Sequence, residues 1–168
     1  TMEHTREIED AGVDGILLVE PYYNGPSSIE IRREYMGPVA AEFSDLEVIP
    51  YVIPGRSGTQ LLPEDLALLH ENHDNINTVK EASGSLDNVR RTRECCGEGF
   101  AILSGNDGQT HAMLTDPAIN GSGAVSVMSN VMPRGVQAMV EAGVEGDRDE
   151  ADRLNEAMEP LFGCVSVK

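Results

Sequence analysis

Lys80 is the residue whose type and position most clearly suggest covalent chemistry. Ten of the 12 basic residues are arginine, and the only other lysine is Lys168 at the C-terminus. Lys80 closes a β-branched run, residues 76–79, that has the length of a buried strand. In a parallel α/β protein ligands bind at the carboxyl ends of the strands, and an amine with a lowered pKa can form a Schiff base there. The alternative is a strand-end lysine paired with Glu81, and residue types alone leave both interpretations open.

The elements that would position Lys80 repeat along the chain. Strands are expected to begin near residues 15, 48, 76, 100 and 123, and amphipathic helices lie between them. The first of them, residues 15–19, is predicted to be a fully buried strand. The first fourteen residues form a predicted helix, and Ser27 with Glu30 is a capping box that starts another. Arg90, Arg91 and Arg93 are expected on the solvated end of a further helix.

This run of βα units predicts a parallel α/β fold. Its commonest closed form is the eight-stranded TIM barrel of about 250 residues, which five units cannot close. Either the sheet is open, or residues 1–168 are a single partial barrel domain whose first three units belong to a longer chain. The unpaired opening helix favours the second interpretation, in which the strands present are strands 4 to 8.

If the units share one sheet, five strand-end residues converge on one face: Tyr23, Tyr51, Arg56, Lys80 and Gly105. An amine, two phenols and a guanidinium suit carbonyl chemistry, because the amine forms an iminium with a keto acid and a tyrosine moves protons. A guanidinium holds a second carboxylate in a bidentate contact. Taken singly, a strand-end tyrosine more often packs and Arg56 could form a loop salt bridge, so the combination carries the hypothesis.

Composition narrows the function classes. The net charge of -17 and the pI of about 4.4 argue against nucleic acid or an anionic membrane as a partner, and also fit a high-salt cytoplasm. The longest aliphatic run, residues 16–19, is too short to span a bilayer, so we expect a soluble, cytoplasmic protein. Three cysteines and four scattered histidines lack disulfide or zinc spacing, so we expect no metal and no cofactor.

Five segments, in order and covering essentially the whole chain, resemble the dihydrodipicolinate synthase (4-hydroxy-tetrahydrodipicolinate synthase) family. They are Pro21-Tyr22-Tyr23-Asn24, Tyr51-Val52-Ile53-Pro54-Gly55-Arg56-Ser57-Gly58, Lys80-Glu81-Ala82-Ser83-Gly84, Leu103-Ser104-Gly105-Asn106-Asp107 and Gly123-Ala124-Val125-Ser126-Val127. The resemblance implies a TIM-barrel lyase of lysine and diaminopimelate biosynthesis. Such an enzyme condenses pyruvate, bound as a Schiff base, with aspartate semialdehyde.

The resemblance also implies a role for each site residue. Lys80 would be the Schiff-base lysine and Tyr51 the proton-relay tyrosine behind it. Tyr23 would enter the active site of a neighbouring subunit, which makes a homodimer or homotetramer the expected assembly. Arg56 would receive the carboxylate of the semialdehyde. Gly105 and Val125 would lie beside bound pyruvate and contribute mainly backbone.

The sequence departs from the family pattern at several places. Val52 stands where an asparagine is usual, Glu20 where a small hydroxyl residue is usual, and Asn106 where an aspartate is usual. The Gly-Thr-Thr-Gly-Glu loop of the family, which binds the pyruvate carboxylate, is absent from this sequence. We therefore expect the chain alone to have little or no activity.

Other functions remain open at this stage. N-acetylneuraminate lyase and 2-keto-3-deoxygluconate aldolase share the lysine and the tyrosine. Arg56 favours the synthase, because an acceptor that bears a carboxylate needs a cation while a sugar needs hydroxyl partners. A non-catalytic binding or assembly protein that keeps the barrel surface is the alternative from another class.

Overall fold

In the part of the chain that the structure describes, five parallel strands form one sheet, and their order in the sheet is their order in the chain. The computed structural model describes residues 1–166, so Lys168 lies outside it. The strands are β1 (Gly15–Val19), β2 (Glu47–Val52), β3 (Thr78–Glu81), β4 (Ala101–Ser104) and β5 (Gly123–Ala124). All five were predicted close to these positions, so the βα repeat is confirmed.

Helices connect the strands, and their bounds follow the sequence signals. They are α1 (Met2–Asp10), α2 (Ser28–Glu30), α3 (Gly37–Glu42), α4 (Pro54–Ser57), α5 (Pro63–Asn72), α6 (Leu86–Cys96), α7 (Asp107–Thr115), α8 (Pro133–Glu145) and α9 (Arg148–Phe162). A π-helix, Ile31–Met36, joins α2 to α3. The Ser27–Glu30 capping box is present at the start of α2, as predicted. No helix within residues 1–166 is long and apolar enough to cross a membrane.

The sheet has one face packed on helices and one face left more open. Ile16 and Leu18 of β1 are buried in the core, whereas Leu17 and Val19 are 46% and 40% exposed. Successive strand residues point to opposite faces, so every second residue reaches the open side. The prediction of a fully buried β1 was therefore wrong, because among the described residues no element covers that face.

The expectation that Arg93 is solvated was also wrong. It is only 5% exposed rather than solvated. Its guanidinium donates hydrogen bonds to the carbonyl oxygens of Gly97, Phe100, Ile119 and Asn120 at 2.6 to 3.1 Å. Arg93 thus satisfies backbone acceptors at the end of α6 and before β4 and β5, a task that no helical pattern reveals.

Register determines which side chains share the open face. Val19 lies opposite Tyr51, Tyr51 opposite Lys80, and Lys80 opposite Leu103. Leu103 in turn lies opposite Gly123. Since residues paired across parallel strands point the same way, this row carries Tyr51 and Lys80 side by side on the open face.

Candidate active site

Lys80 lies beside Tyr51, at the carboxyl end of β3. Its Nζ is 3.8 Å from the centroid of the Tyr51 ring, within the range of a cation–π contact. Burial lowers the pKa of Lys80, and the Asp107 carboxylate partly opposes that shift. A lowered pKa increases the fraction of neutral amine at a given pH, which is the nucleophilic form.

Glu81, the expected salt-bridge partner of Lys80, points to the opposite face of the sheet. It is 2% exposed and accepts hydrogen bonds from the Ser83 backbone N–H at 2.6 Å and from Asn88 Nδ2 at 3.1 Å. Within residues 1–166, Lys80 forms no ion pair. Alternation along β3 separates the two charges, so the salt-bridge interpretation is wrong.

Gly105 follows β4 and packs directly against the Lys80 side chain. A Cβ added to Gly105 would lie 2.9 Å from Lys80 Cε and 3.0 Å from Ala82 Cβ. The Gly105 backbone N–H donates to the Glu81 carbonyl at 2.8 Å. The absence of a side chain here therefore makes room for the lysine.

Tyr51 and Arg56 line a cleft of about 220 Å³ next to this contact, together with Gly105, Asn106 and Phe162. Burial raises the pKa of the Tyr51 hydroxyl, and the nearby positive charge of Arg56 partly lowers it. Tyr51 is therefore protonated at neutral pH and can donate a proton.

Asp107 is a site residue to which the sequence gave no role. It is buried at the start of α7 and also lines the cleft. Its carboxylate accepts hydrogen bonds from the backbone N–H groups of Val127 and Met128 at 3.0 and 3.1 Å, and from the Ser126 hydroxyl. Asp107 thereby fixes the loop after β5. Its position two residues after Gly105, at the end of β4, was the sequence signal that could have marked it as a site residue.

Neither Val125 nor Tyr23 is among the described residues that line the cleft. The Val125 backbone N–H donates to the Ser104 carbonyl at 2.8 Å, which extends the sheet beyond β5. Tyr23 follows β1 and is 80% exposed. The structure brings Tyr51, Arg56, Lys80 and Gly105 together and leaves Tyr23 outside the cleft, so its contribution to a neighbouring subunit stays a prediction.

Glu20 is a second residue that sequence reasoning left without a role. It is 0% exposed, and its carboxylate accepts hydrogen bonds from Ile53 N, Ser57 Oγ and Leu61 N. Burial raises its pKa, and the same three donors oppose that shift. Over residues 1–166, no group of three or more His, Cys, Asp or Glu side chains could hold a metal ion.

Known proteins share both the sequence and the fold. The dihydrodipicolinate synthetase family model matches residues 1–167. The 4-hydroxy-tetrahydrodipicolinate synthase of Pelobacter propionicus is 41% identical over 99% of this chain and 56% of its own length. The dihydrodipicolinate synthase of Aquifex aeolicus superposes with a TM-score of 0.93 at 31% identity. The 4-hydroxy-tetrahydrodipicolinate synthase of Methylacidiphilum fumariolicum SolV gives a TM-score of 0.93 at 39% identity.

The alignments also define how much of a barrel is present. The chain spans about half the length of the curated relatives it matches. The two superpositions include 99% of this chain, but only 55% of the Aquifex structure and 54% of the Methylacidiphilum structure. Because these structures are TIM barrels, the five strands are part of a (β/α)8 barrel, as predicted.

Proposed function

Since the chain belongs to the dihydrodipicolinate synthetase family, we propose that it is the part of a pyruvate-dependent lyase that carries the Schiff-base lysine, Lys80. The complete reaction would condense pyruvate with aspartate semialdehyde to 4-hydroxy-tetrahydrodipicolinate, in lysine and diaminopimelate biosynthesis. The observation that carries this proposal is the half-buried Lys80 amine, which lies 3.8 Å from the Tyr51 ring centroid and is packed on Gly105.

The proposed chemistry begins with the neutral Lys80 amine. The amine attacks the C2 carbonyl of pyruvate, and a proton from the Tyr51 hydroxyl lets the resulting carbinolamine lose water as an iminium. The Tyr51 phenolate left by that transfer takes a C3 proton, which gives an enamine, and C3 of the enamine forms the new bond to the aldehyde carbon while the aldehyde oxygen regains the proton. The amino group of the semialdehyde then displaces Lys80 Nζ from C2, which closes the ring and frees the lysine. Arg56 at the mouth of the cleft binds the carboxylate of the aldehyde.

Further elements of the proposal concern assembly and context. Tyr23 would act in the active site of a neighbouring subunit of a homodimer or homotetramer, and its high exposure leaves the ring free to do so. Gly105 and Val125 would contact pyruvate through their backbone. We place the enzyme in the cytoplasm, without nucleic acid or membrane partners.

The Lys80 proposal is tested by trapping. The protein is incubated with saturating pyruvate and borohydride, digested, and analysed by mass spectrometry. We expect a reduced pyruvate adduct on Lys80 and none in a Lys80→Ala variant. In the full-length parent, which would include the loop that binds the pyruvate carboxylate, lack of any adduct on Lys80 would favour the non-catalytic binding protein.

The acceptor is tested separately. Turnover of pyruvate with aspartate semialdehyde is compared with retro-aldol cleavage of N-acetylneuraminate and 2-keto-3-deoxygluconate. We expect any turnover by this half-length chain to be low and to favour the semialdehyde. Preference for either sugar acid would overturn the choice of substrate.

A further inference from the structure

The Glu20 carboxylate connects β1 to the segment that carries Arg56. Its Oε2 accepts from the Ile53 N–H at 2.9 Å and from Ser57 Oγ at 2.9 Å, and its Oε1 accepts from the Leu61 N–H at 2.6 Å. Ile53, Ser57 and Leu61 lie along one stretch, residues 53–61. A single side chain directly after β1 thus holds both ends of this stretch.

Residues 53–61 contain little structure that would hold Arg56 without such an anchor. Helix α4 has only four residues, Pro54–Ser57, and a helix this short is unstable in isolation. Gly55 and Arg56 themselves are exposed. The position of Arg56 at the cleft therefore depends on the anchored residues on either side of it.

The three partners of Glu20 also explain why a carboxylate suits this place. All three are donors, and an ionised carboxylate is acceptor-only. Among the described residues no cation pairs with Glu20, and burying an unpaired charge is costly unless hydrogen bonds compensate. Glutamine would turn an NH₂ group toward one of the donors and lose at least one contact.

We infer that Glu20 is a positioning residue that holds the Arg56 helix at the mouth of the cleft. It acts through Arg56 and contacts none of the reacting atoms. The part of this inference that concerns the carboxylate of the aldehyde rests on the proposed function. The placement of Arg56 does not, because it can be measured in the protein without substrate.

The hydroxyl of Tyr51 reports where Arg56 lies, because the Arg56 charge lowers the pKa of Tyr51. The Tyr51 pKa is measured by NMR titration with ring-labelled tyrosine, and the signal is assigned with Tyr51→Phe. Removing the negative charge of Glu20 without moving Arg56 would lower the Tyr51 pKa. Release of Arg56 would raise it, by up to about one pH unit.

Two variants separate these effects. We expect Glu20→Gln and Glu20→Asp both to raise the Tyr51 pKa toward that of an Arg56→Gln reference. Glu20→Asp keeps the charge but is one methylene too short to reach both ends of residues 53–61. An unchanged or lowered Tyr51 pKa in both variants would overturn the inference.

Amide hydrogen exchange supplies a second measurement that needs no titration at high pH. We expect Glu20→Asp to speed exchange in residues 53–61 about tenfold or more, and to leave residues 83–88 unchanged. Glu81→Gln is the matched control, since it removes another buried carboxylate that binds residues 83–88 instead. Equal exchange in residues 53–61 of Glu20→Asp and the unmodified protein would contradict the inference.

The kinetic consequence distinguishes this inference from the proposed function. If the chain condenses pyruvate with aspartate semialdehyde, Glu20→Asp should raise the KM for the semialdehyde about tenfold, with the rate of pyruvate trapping on Lys80 unchanged. If the KM for the semialdehyde and the rate of pyruvate trapping both changed about tenfold, Glu20 would have a general structural role instead. If no trapping occurs on Lys80 of the full-length parent, the proposed function fails, while the titration and exchange results still decide whether Glu20 holds Arg56 in place.

Discussion

Replacing Gly105 with alanine removes the space that the Lys80 side chain occupies. The added Cβ would lie 2.9 Å from Lys80 Cε and 3.1 Å from Lys80 Cγ, whereas carbon atoms in contact are separated by about 3.5–4.0 Å. The lysine must therefore move by roughly 0.5–1 Å. Ala82 Cβ, at 3.0 Å, blocks relief in another direction.

The expected magnitude follows from this crowding. Overpacking of this size costs about 1–3 kcal/mol in the free energy of unfolding. Moving the amine from its place over the Tyr51 ring should slow pyruvate trapping by about 10- to 100-fold, since a misplacement of about 1 Å can cost that much. Urea denaturation and the rate of borohydride-trapped adduct formation measure the two effects.

Two controls make the Gly105 prediction specific. Gly99 lies just before β4, and a Cβ added to it would meet nothing within 4 Å. Gly99→Ala should therefore change the unfolding free energy by less than about 0.5 kcal/mol. In a Lys80→Ala background the cost of Gly105→Ala should fall, because the contacts with Lys80 are removed and only the 3.0 Å contact with Ala82 Cβ remains. A Gly105→Ala protein with unchanged stability and an unchanged trapping rate would refute the reasoning.

Three further predictions concern other groups. Arg93→Met should cost about 3 kcal/mol or more in unfolding free energy, because buried carbonyls lose their donors. Arg91→Met should cost less than about 1 kcal/mol, because Arg91 and Glu64 form an exposed ion pair. Equal costs in urea denaturation would contradict this. Tyr51→Phe should slow pyruvate trapping about 100-fold yet keep the fold in circular dichroism, and an unchanged rate would remove Tyr51 from the proton path. The raised pKa of Glu81 means that its contribution to stability is fully present below about pH 4.5 and is lost as pH rises through the folded-state pKa. The unfolding free energy should therefore fall, relative to Glu81→Gln, as pH rises above 4.5, and a pH-independent difference would refute that sign.

The strand positions and the strand-end residues were predictable because they depend on local pattern. Five β-rich runs, each followed by turn-forming residues, place β1 to β5 within a few residues of their observed bounds. Lys80 at the end of β3 follows from the same pattern. The resemblance to known synthases added the roles of Tyr51, Arg56 and Gly105, and the fold comparison confirms the barrel architecture.

The failures all concern contacts between distant segments. Arg93 resembles its less buried neighbours Arg90 and Arg91 in sequence, but carbonyls from residues 97–120 converge on it. The position of Asp107 two residues after Gly105 marks it as a strand-end residue, but its bonds to residues 126–128 follow only from the fold.

By itself, the sequence determined the order of strands and helices and the one amine suited to imine chemistry, because hydrophobic period and residue type act over short distances. Only the tertiary structure decided that Lys80 faces Tyr51 while Glu81 faces away. It alone showed that Gly105 leaves room for the lysine and that Glu20 reaches across to residues 53–61. These outcomes depend on strand register and on packing between residues far apart in the chain, which no local pattern encodes.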